Sequence, residues 1–109
     1  MLRNNVLEQP GAFQNFFENH PDGICVVDVD GHLLHVNASA LRMFGYTREE
    51  LLQITLPQLF DWSGGSGEAR LELAIPHKRG FFVYVRVTCI PLVSGGQELG
   101  RFITFEDIS

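Results

Sequence analysis

Pro21-Asp-Gly-Ile-Cys-Val-Val-Asp-Val-Asp-Gly31 decides how this chain folds. Its first residue ends whatever helix comes before it, because the residue preceding a proline avoids the helical region. Asp22-Gly23 is a turn. Ile24 to Val29 is apolar on most positions of both faces, which marks a strand covered on both sides. Asp30-Gly31 then predicts a two-residue hairpin of type I′, in which both central residues take positive φ. His32-Leu-Leu-His-Val36 is the return strand.

On the N-terminal side, residues 1–10 are polar without a clear period and read as a lead-in arm. Phe13, Phe16 and Phe17 fall at i, i+3 and i+4, one face of a short helix that Pro21 terminates. On the C-terminal side, Asn37 is placed to cap a helix over Ala38 to Phe44. Gly45 is its left-handed stop. Thr47 and Glu50 have capping-box spacing for a second short helix, and Pro57 opens a third turn through Asp61. Ser63-Gly-Gly-Ser-Gly67 is a loop, after which the hydrophobic period changes to two. Leu71, Leu73 and Ile75 point one way. Pro76 to Gly80 turns. Phe81 to Val93 is a long strand with Val83, Val85, Val87 and Cys89 on one face and Tyr84, Arg86 and Thr88 on the other. Ser94-Gly-Gly-Gln97 turns again, and Leu99 to Glu106 is the last strand. Helix, two strands, a helical insert and three strands describe an α+β domain with helices on one side of an antiparallel sheet.

At 109 residues there is room for one domain and one core. The net charge of −5 and the absence of any Lys/Arg cluster remove the electrostatic footprint of a nucleic-acid binder. Cys25 and Cys89 each stand alone in an apolar stretch, so zinc is disfavoured and buried reduced thiols are expected. The first twenty residues hold no apolar run, and no stretch approaches the length of a membrane span. A cytoplasmic location without membrane contact is the expectation.

The ordered set Pro21 to Gly31, Val36-Asn37, Phe44-Gly45-Tyr46-Thr47 with Glu49-Glu50-Leu51, Lys78-Arg79-Gly80 and Asp107-Ile108-Ser109 resembles the PAS family of signalling sensor domains. The resemblance places the domain over residues 20–109, after an arm and short helix over 1–19. It implies a five-stranded antiparallel sheet of order 2-1-5-4-3, with short helices on one face. The related GAF type fits less well because its connections are longer. The helix-covered face would carry Val83, Val85, Val87, Cys89, Leu71, Leu73, Ile75, Ile103 and Phe105. A ligand, if one binds, would touch Leu41, Phe44, Leu56, Leu71, Leu73, Val85, Val87, Cys89, Ile103 and Phe105. The insert is short for the family, which implies a small pocket filled by Leu41, Phe44, Leu56, Leu59 and Phe60. The outer face would show Phe82, Tyr84, Phe102 and Ile90, too much apolar surface to leave wet. The helix with Phe13, Phe16 and Phe17 is its natural cover, and in PAS relatives this is also the dimer surface. The fifth strand would separate Cys25 from Cys89, beyond the reach of a disulfide.

What the resemblance implies about function is a non-catalytic sensing, relay and dimerisation module of a larger signalling protein. A histidine kinase, a diguanylate cyclase or a transcription regulator would each fit as the covalent C-terminal output. Asp107-Ile108-Ser109 resembles the exit motif by which a PAS sheet passes into a linker, and makes Asp107 the signal-exit residue. The alternative is a small-molecule receptor with a ligand in the PAS cavity. No cofactor is expected. Haem is disfavoured because the segment Ile54 to Glu68 carries no histidine and His20, His32, His35 and His77 lie elsewhere. Covalent flavin is disfavoured because no cysteine lies between Asn37 and Phe82. Asp28-Val-Asp30-Gly31 begins like a calcium loop but lacks its later ligands. Nothing in the order of residues suggests a nucleophile–base set; Ser39 reads as a residue of the helix surface or cap.

Overall fold

The computed structural model describes residues 11–55 and 69–109. The elements are α1 (Ala12–Asn19), β1 (Gly23–Asp28), β2 (Leu33–Val36), α2 (Ala38–Phe44), α3 (Arg48–Leu52), β3 (Ala69–Pro76), β4 (Phe82–Ser94) and β5 (Gln97–Asp107). All strand pairs are antiparallel, and the sheet order is β2-β1-β5-β4-β3. The expected order is thus observed. The expected turn over Pro57 to Asp61 and the loop Ser63 to Gly67 lie outside the described residues, as do Leu56, Leu59 and Phe60.

Alternation along β4 sets the two faces of the sheet. Val83, Val85, Val87 and Cys89 are buried, and Phe82, Tyr84 and Arg86 are exposed. The same face of β5 adds Ile103 and Phe105, and β1 adds Cys25 and Val27. Helix α2 closes this core by setting Phe44 edge-on to Phe105, ring centres 5.2 Å apart. Leu51 of α3 is fully buried beside them. Ile24 is buried on the opposite face of β1, so β1 is covered on both faces, as its composition predicts.

One turn differs from expectation. Asp30 does not take positive φ; of the pair only Gly31 does, at 88°. Gly31 N–H reaches Asp28 O at 3.1 Å, and Asp28 N–H reaches His32 O at 3.0 Å. This closes a three-residue loop, a β-turn followed by a left-handed glycine, and not the predicted two-residue type I′ turn. The extra residue is absorbed as an irregularity between Val26 and Val27, where the register passes from His35 to Leu33. The two-residue turn with both residues left-handed stands instead between β4 and β5, at Gly95 (φ 59°) and Gly96 (φ 78°).

The helical insert is held by the caps its sequence announces. Asn37 Oδ1 accepts from Ala40 N–H at 3.1 Å and caps α2. Gly45 ends α2 at φ 82° and donates to Leu41 O at 2.8 Å. Thr47 and Glu50 form the complete capping box of α3. The β3–β4 turn is fastened to this insert. Lys78 N–H donates to Phe44 O at 3.0 Å, Lys78 Nζ pairs with Glu50, and the His77 ring lies against Gly45 where a Cβ would stand.

Candidate functional site

The inner-face residues form one packed cluster. Phe44, Val85, Val87, Cys89, Ile103 and Phe105 have no exposed surface, while Leu41 and Leu73 pack against the cluster half-buried. Leu71 is half-buried on the same face, and Leu56 lies outside the described residues. Cys25 and Cys89 both pair with Ile103, one on each side, so the thiols share a row but sit two strands apart. Two strand spacings come to about 10 Å, against about 7 Å at most for a disulfide. Both are free and buried. Burial pushes the Cys25 thiol up to about 12. Burial also raises Cys89, against an opposing pull from Arg101.

The outer face carries Phe82, Tyr84, Ile90 and Phe102 in two separate places. Phe102 stands opposite Ile90 and Val26 at one end of the sheet, and Phe82 and Tyr84 stand exposed at the other. Between them run two polar rows. One is Glu72–Arg86–Glu106, with Arg86 held by Glu106 at 2.8 Å and Glu72 at 3.2 Å; the other is Arg70–Thr88–Thr104. The paired carboxylates, Glu106 first, raise the Arg86 guanidinium above its usual value. A polar band therefore divides the face into two apolar patches. The alternation of β4 puts Arg86 and Thr88 on this face, and strand register sets Glu72, Glu106, Arg70 and Thr104 beside them.

Helix α1 faces only the Phe102 end. A cleft of about 1240 Å³ separates it from the sheet, with Phe13 and Phe17 on one wall and Val26, Leu92 and Phe102 on the other. Phe16, expected on the same face as Phe13 and Phe17, is not part of that lining. It makes an edge contact with His20, ring centres 5.3 Å apart, and stays 53% exposed. Arg48 and Ser39 complete this corner. Arg48 pairs with Glu18 of α1, and Ser39 is buried instead of lying on the helix surface. Ser39 Oγ donates to His20 O at 2.5 Å and accepts from Arg42 at 3.1 Å.

Asp107, expected from the resemblance to be the signal exit, ends β5. Asp107 pairs with Val85 and is exposed; its carboxylate accepts from Ser109 N–H at 2.9 Å, and Ile108 N–H donates to Tyr84 O at 2.9 Å. The final residues are thus bonded to β4 beside the Tyr84 patch. His32 and His35 are exposed; His77 stacks on Phe81, ring centres 4.2 Å apart. Asp28, Asp30 and His32 bring ligand-type atoms within 4.8 Å of one another. Asp28 Oδ1 is already engaged by the N–H groups of Asp30 and His32, which hold that carboxyl below its usual value, the His32 bond first. The loop's own hydrogen bonds account for the grouping. No described helix is long and apolar enough to cross a membrane.

The model of the PAS domain family matches residues 21–109. The chain belongs to the PAS domain family. No curated protein matches the sequence. Among solved structures, this PAS domain is similar to a domain of a sensory box sensor histidine kinase/response regulator from Geobacter sulfurreducens, at 26% identity and a TM-score of 0.78, covering 95% of this chain and 98% of that one. It is similar to the PAS domain of an HTR-like protein from Haloarcula marismortui, at 27% identity and a TM-score of 0.77, covering 94% of each chain. The PAS domain of a LuxR-family transcriptional regulator from Burkholderia thailandensis, solved in complex with ethanol, shares the fold at 17% identity and a TM-score of 0.73, covering 88% of this chain and 96% of that one. The chain is a signalling sensory domain.

Proposed function

We propose that this PAS domain is a non-catalytic relay module that dimerises and passes its state to a covalent C-terminal output domain. The observation that carries the reading is the course of β5. It runs from Phe102, in the outer apolar patch at the α1 cleft, to Asp107, with Ile103 and Phe105 in the core between them. One strand would therefore touch the proposed partner face, the core and the proposed exit. β5 is paired on both sides from Gly100 to Phe105, and a bias at any of the three would be felt at the others as a shift between two poses. A homodimer would use Phe13 and Phe17 of α1 with Phe102, and its second copy would gain Phe82 and Tyr84 only by reaching past the polar band. Phe16, turned toward His20, would contribute at the rim.

Size-exclusion chromatography with light scattering tests this. The wild-type chain should run as a dimer and Phe102→Glu as a monomer; a wild-type monomer at high micromolar concentration would refute the dimer. In the full protein, Asp107→Ala should uncouple the output, and unchanged output would count against the relay.

A second reading is a small-molecule receptor. The ethanol complex of the LuxR-family relative favours it, since the same fold there holds a small alcohol. The ligand would meet Phe44, Val85, Val87 and Phe105, with Leu41, Leu71 and Leu73 at the rim. Native mass spectrometry set against the denatured mass separates the two. An excess mass lost on denaturation supports the receptor; a clean chain mass supports the relay.

A further inference from the structure

The two edges of the sheet are not alike. β2 has four residues, and His32 just before it bridges to Thr55, so that edge is short and partly covered. β3 has eight residues, pairs with β4 residue for residue from Ala69 to Pro76 without a bulge, and ends the sheet. Among the described residues, none hydrogen-bonds to its other side. It has no proline before its last residue and no charge on its core face, where Leu71, Leu73 and Ile75 stand. A long regular strand with one open side is a template for another strand.

The side chains of β3 select that strand. Ile75 is fully buried, but Leu71 and Leu73 are only half-buried, so the first half of β3 keeps apolar surface at the edge. Arg70 and Glu72 stand two apart on the outer face, both exposed. Glu72 meets Arg86 of β4 and is still 62% exposed. Arg70 has no ion pair among the described residues. The open edge therefore offers one cation and one anion, flanking Leu71.

We propose that β3 pairs antiparallel with β3 of a second copy, about a two-fold axis through Leu71. An axis normal to the sheet keeps each face on its own side, so opposed residues share a face. This one sets Arg70 opposite the partner's Glu72 and Glu72 opposite the partner's Arg70. Glu106, Arg86 and Glu72 are then followed by the partner's Arg70, a row that alternates in sign across the junction. An axis through Arg70 or through Glu72 would oppose like charges. One through Leu73 would face Arg70 with Pro76, which has no N–H, and Glu72 with Ala74. β3 lies two strands from Phe102, so the edge stays open in an outer-face dimer and the inference does not rest on that dimer. Together the two contacts would link dimers into an open row.

Sedimentation velocity in the Phe102→Glu background tests it, because that substitution removes the outer-face contact. A junction this short is below the size of a stable interface, so the mean mass should rise above one chain only toward about 1 mM and not at the micromolar loads of chromatography. Arg70→Glu or Glu72→Arg, each added alone, should weaken the pairing at least about tenfold, since both symmetric pairs turn repulsive together. An equimolar mixture of these two variants should associate again, because each then meets the opposite charge in the other. Both positions are exposed and Arg86 keeps Glu106, and circular dichroism verifies the fold of each variant. A mass that stays at one chain near the upper concentration would overturn the proposal. So would an Arg70→Glu variant that pairs like its parent, or a mixture no more associated than its components. A wild-type chain that is monomeric at high micromolar concentration, with concentration-dependent pairing in Phe102→Glu, would refute the outer-face dimer and support the edge.

Discussion

The side-chain amide of Asn37 holds the carbonyl oxygen of Phe17 at 2.9 Å, so the residue that caps α2 also ties down α1. Asn37 is wholly buried and makes every hydrogen bond its side chain can make. Oδ1 accepts from Ile24 and Ala40, and Nδ2 donates to Phe17 and Asp22. Asn37→Ala strips the cap and leaves buried groups of three elements unpaired. The loss should be roughly 2–4 kcal/mol. Urea unfolding measures it, and a change within about 0.5 kcal/mol, the range of surface substitutions, would contradict the account. Asn37→Asp keeps the acceptor but sets a carboxylate against two carbonyl oxygens, so it too should lose stability.

Gly45→Ala acts on the joint between α2 and the β3–β4 turn. The residue sits in the left-handed region, and a Cβ there would overlap the His77 ring. The backbone alone should cost about 1 kcal/mol. Displacing His77 from its stack on Phe81 adds to that. Thermal unfolding of Gly45→Ala against Gly45→Ala/His77→Ala measures the second part. Equal midpoints for the two would show that the ring contact contributes nothing.

Glu50 should titrate below the ordinary glutamate range, because Lys78 pairs with it first and the Thr47 N–H second. A depressed folded value means the contribution to stability is present above the unfolded value. It is lost as pH falls through the folded one. Carboxyl NMR should therefore show Glu50 still ionised where free glutamate is half-protonated. Lys78→Ala should move the titration back up; an unmoved titration would discount the pair.

Neither thiol should react in the native state. The Cys25 thiol, at about 12, stays protonated at pH 8, and Cys89 has no exposed surface. The thiolate is the reactive form. A thiol-disulfide dye should count no fast cysteines in the folded chain and two after denaturation. A fast native thiol would mean that the core opens at one of these strands.

Local signals carried most of the fold into view. The alternation of β4, the capping box at Thr47 and the glycine stop at Gly45 are written within a few residues each, and each stands where expected. Asn37 was legible as a cap because Ala40 is three residues on. Its bonds to Phe17 and Asp22 were not, because partners 20 and 15 residues away are set by tertiary docking. The burial of Ser39, in the first turn of α2, was hidden for the same reason: its partner His20 lies 19 residues away. Asp30-Gly31 fits a two- or a three-residue loop, and cross-strand register made the choice. Register also decided the outer face. Glu72, Arg86 and Glu106 lie far apart in sequence and become a band only once three strands align.

The fastening of the β3–β4 turn to the helices gives the sheet, among the described residues, a clamped border and a free one. Lys78 is bonded to Phe44 and paired with Glu50 at one end of β4, while the Gly95-Gly96 turn closes the other end with no bond to either helix among those observed. A plate held along one border does not slide under load; it bends and twists about that border. Displacement is then smallest beside Phe44 and grows toward the free turn. Strand β5 begins at that free turn and ends at Asp107, beside the clamped half of β4, so it converts a wide swing at one end into a small rotation at the other.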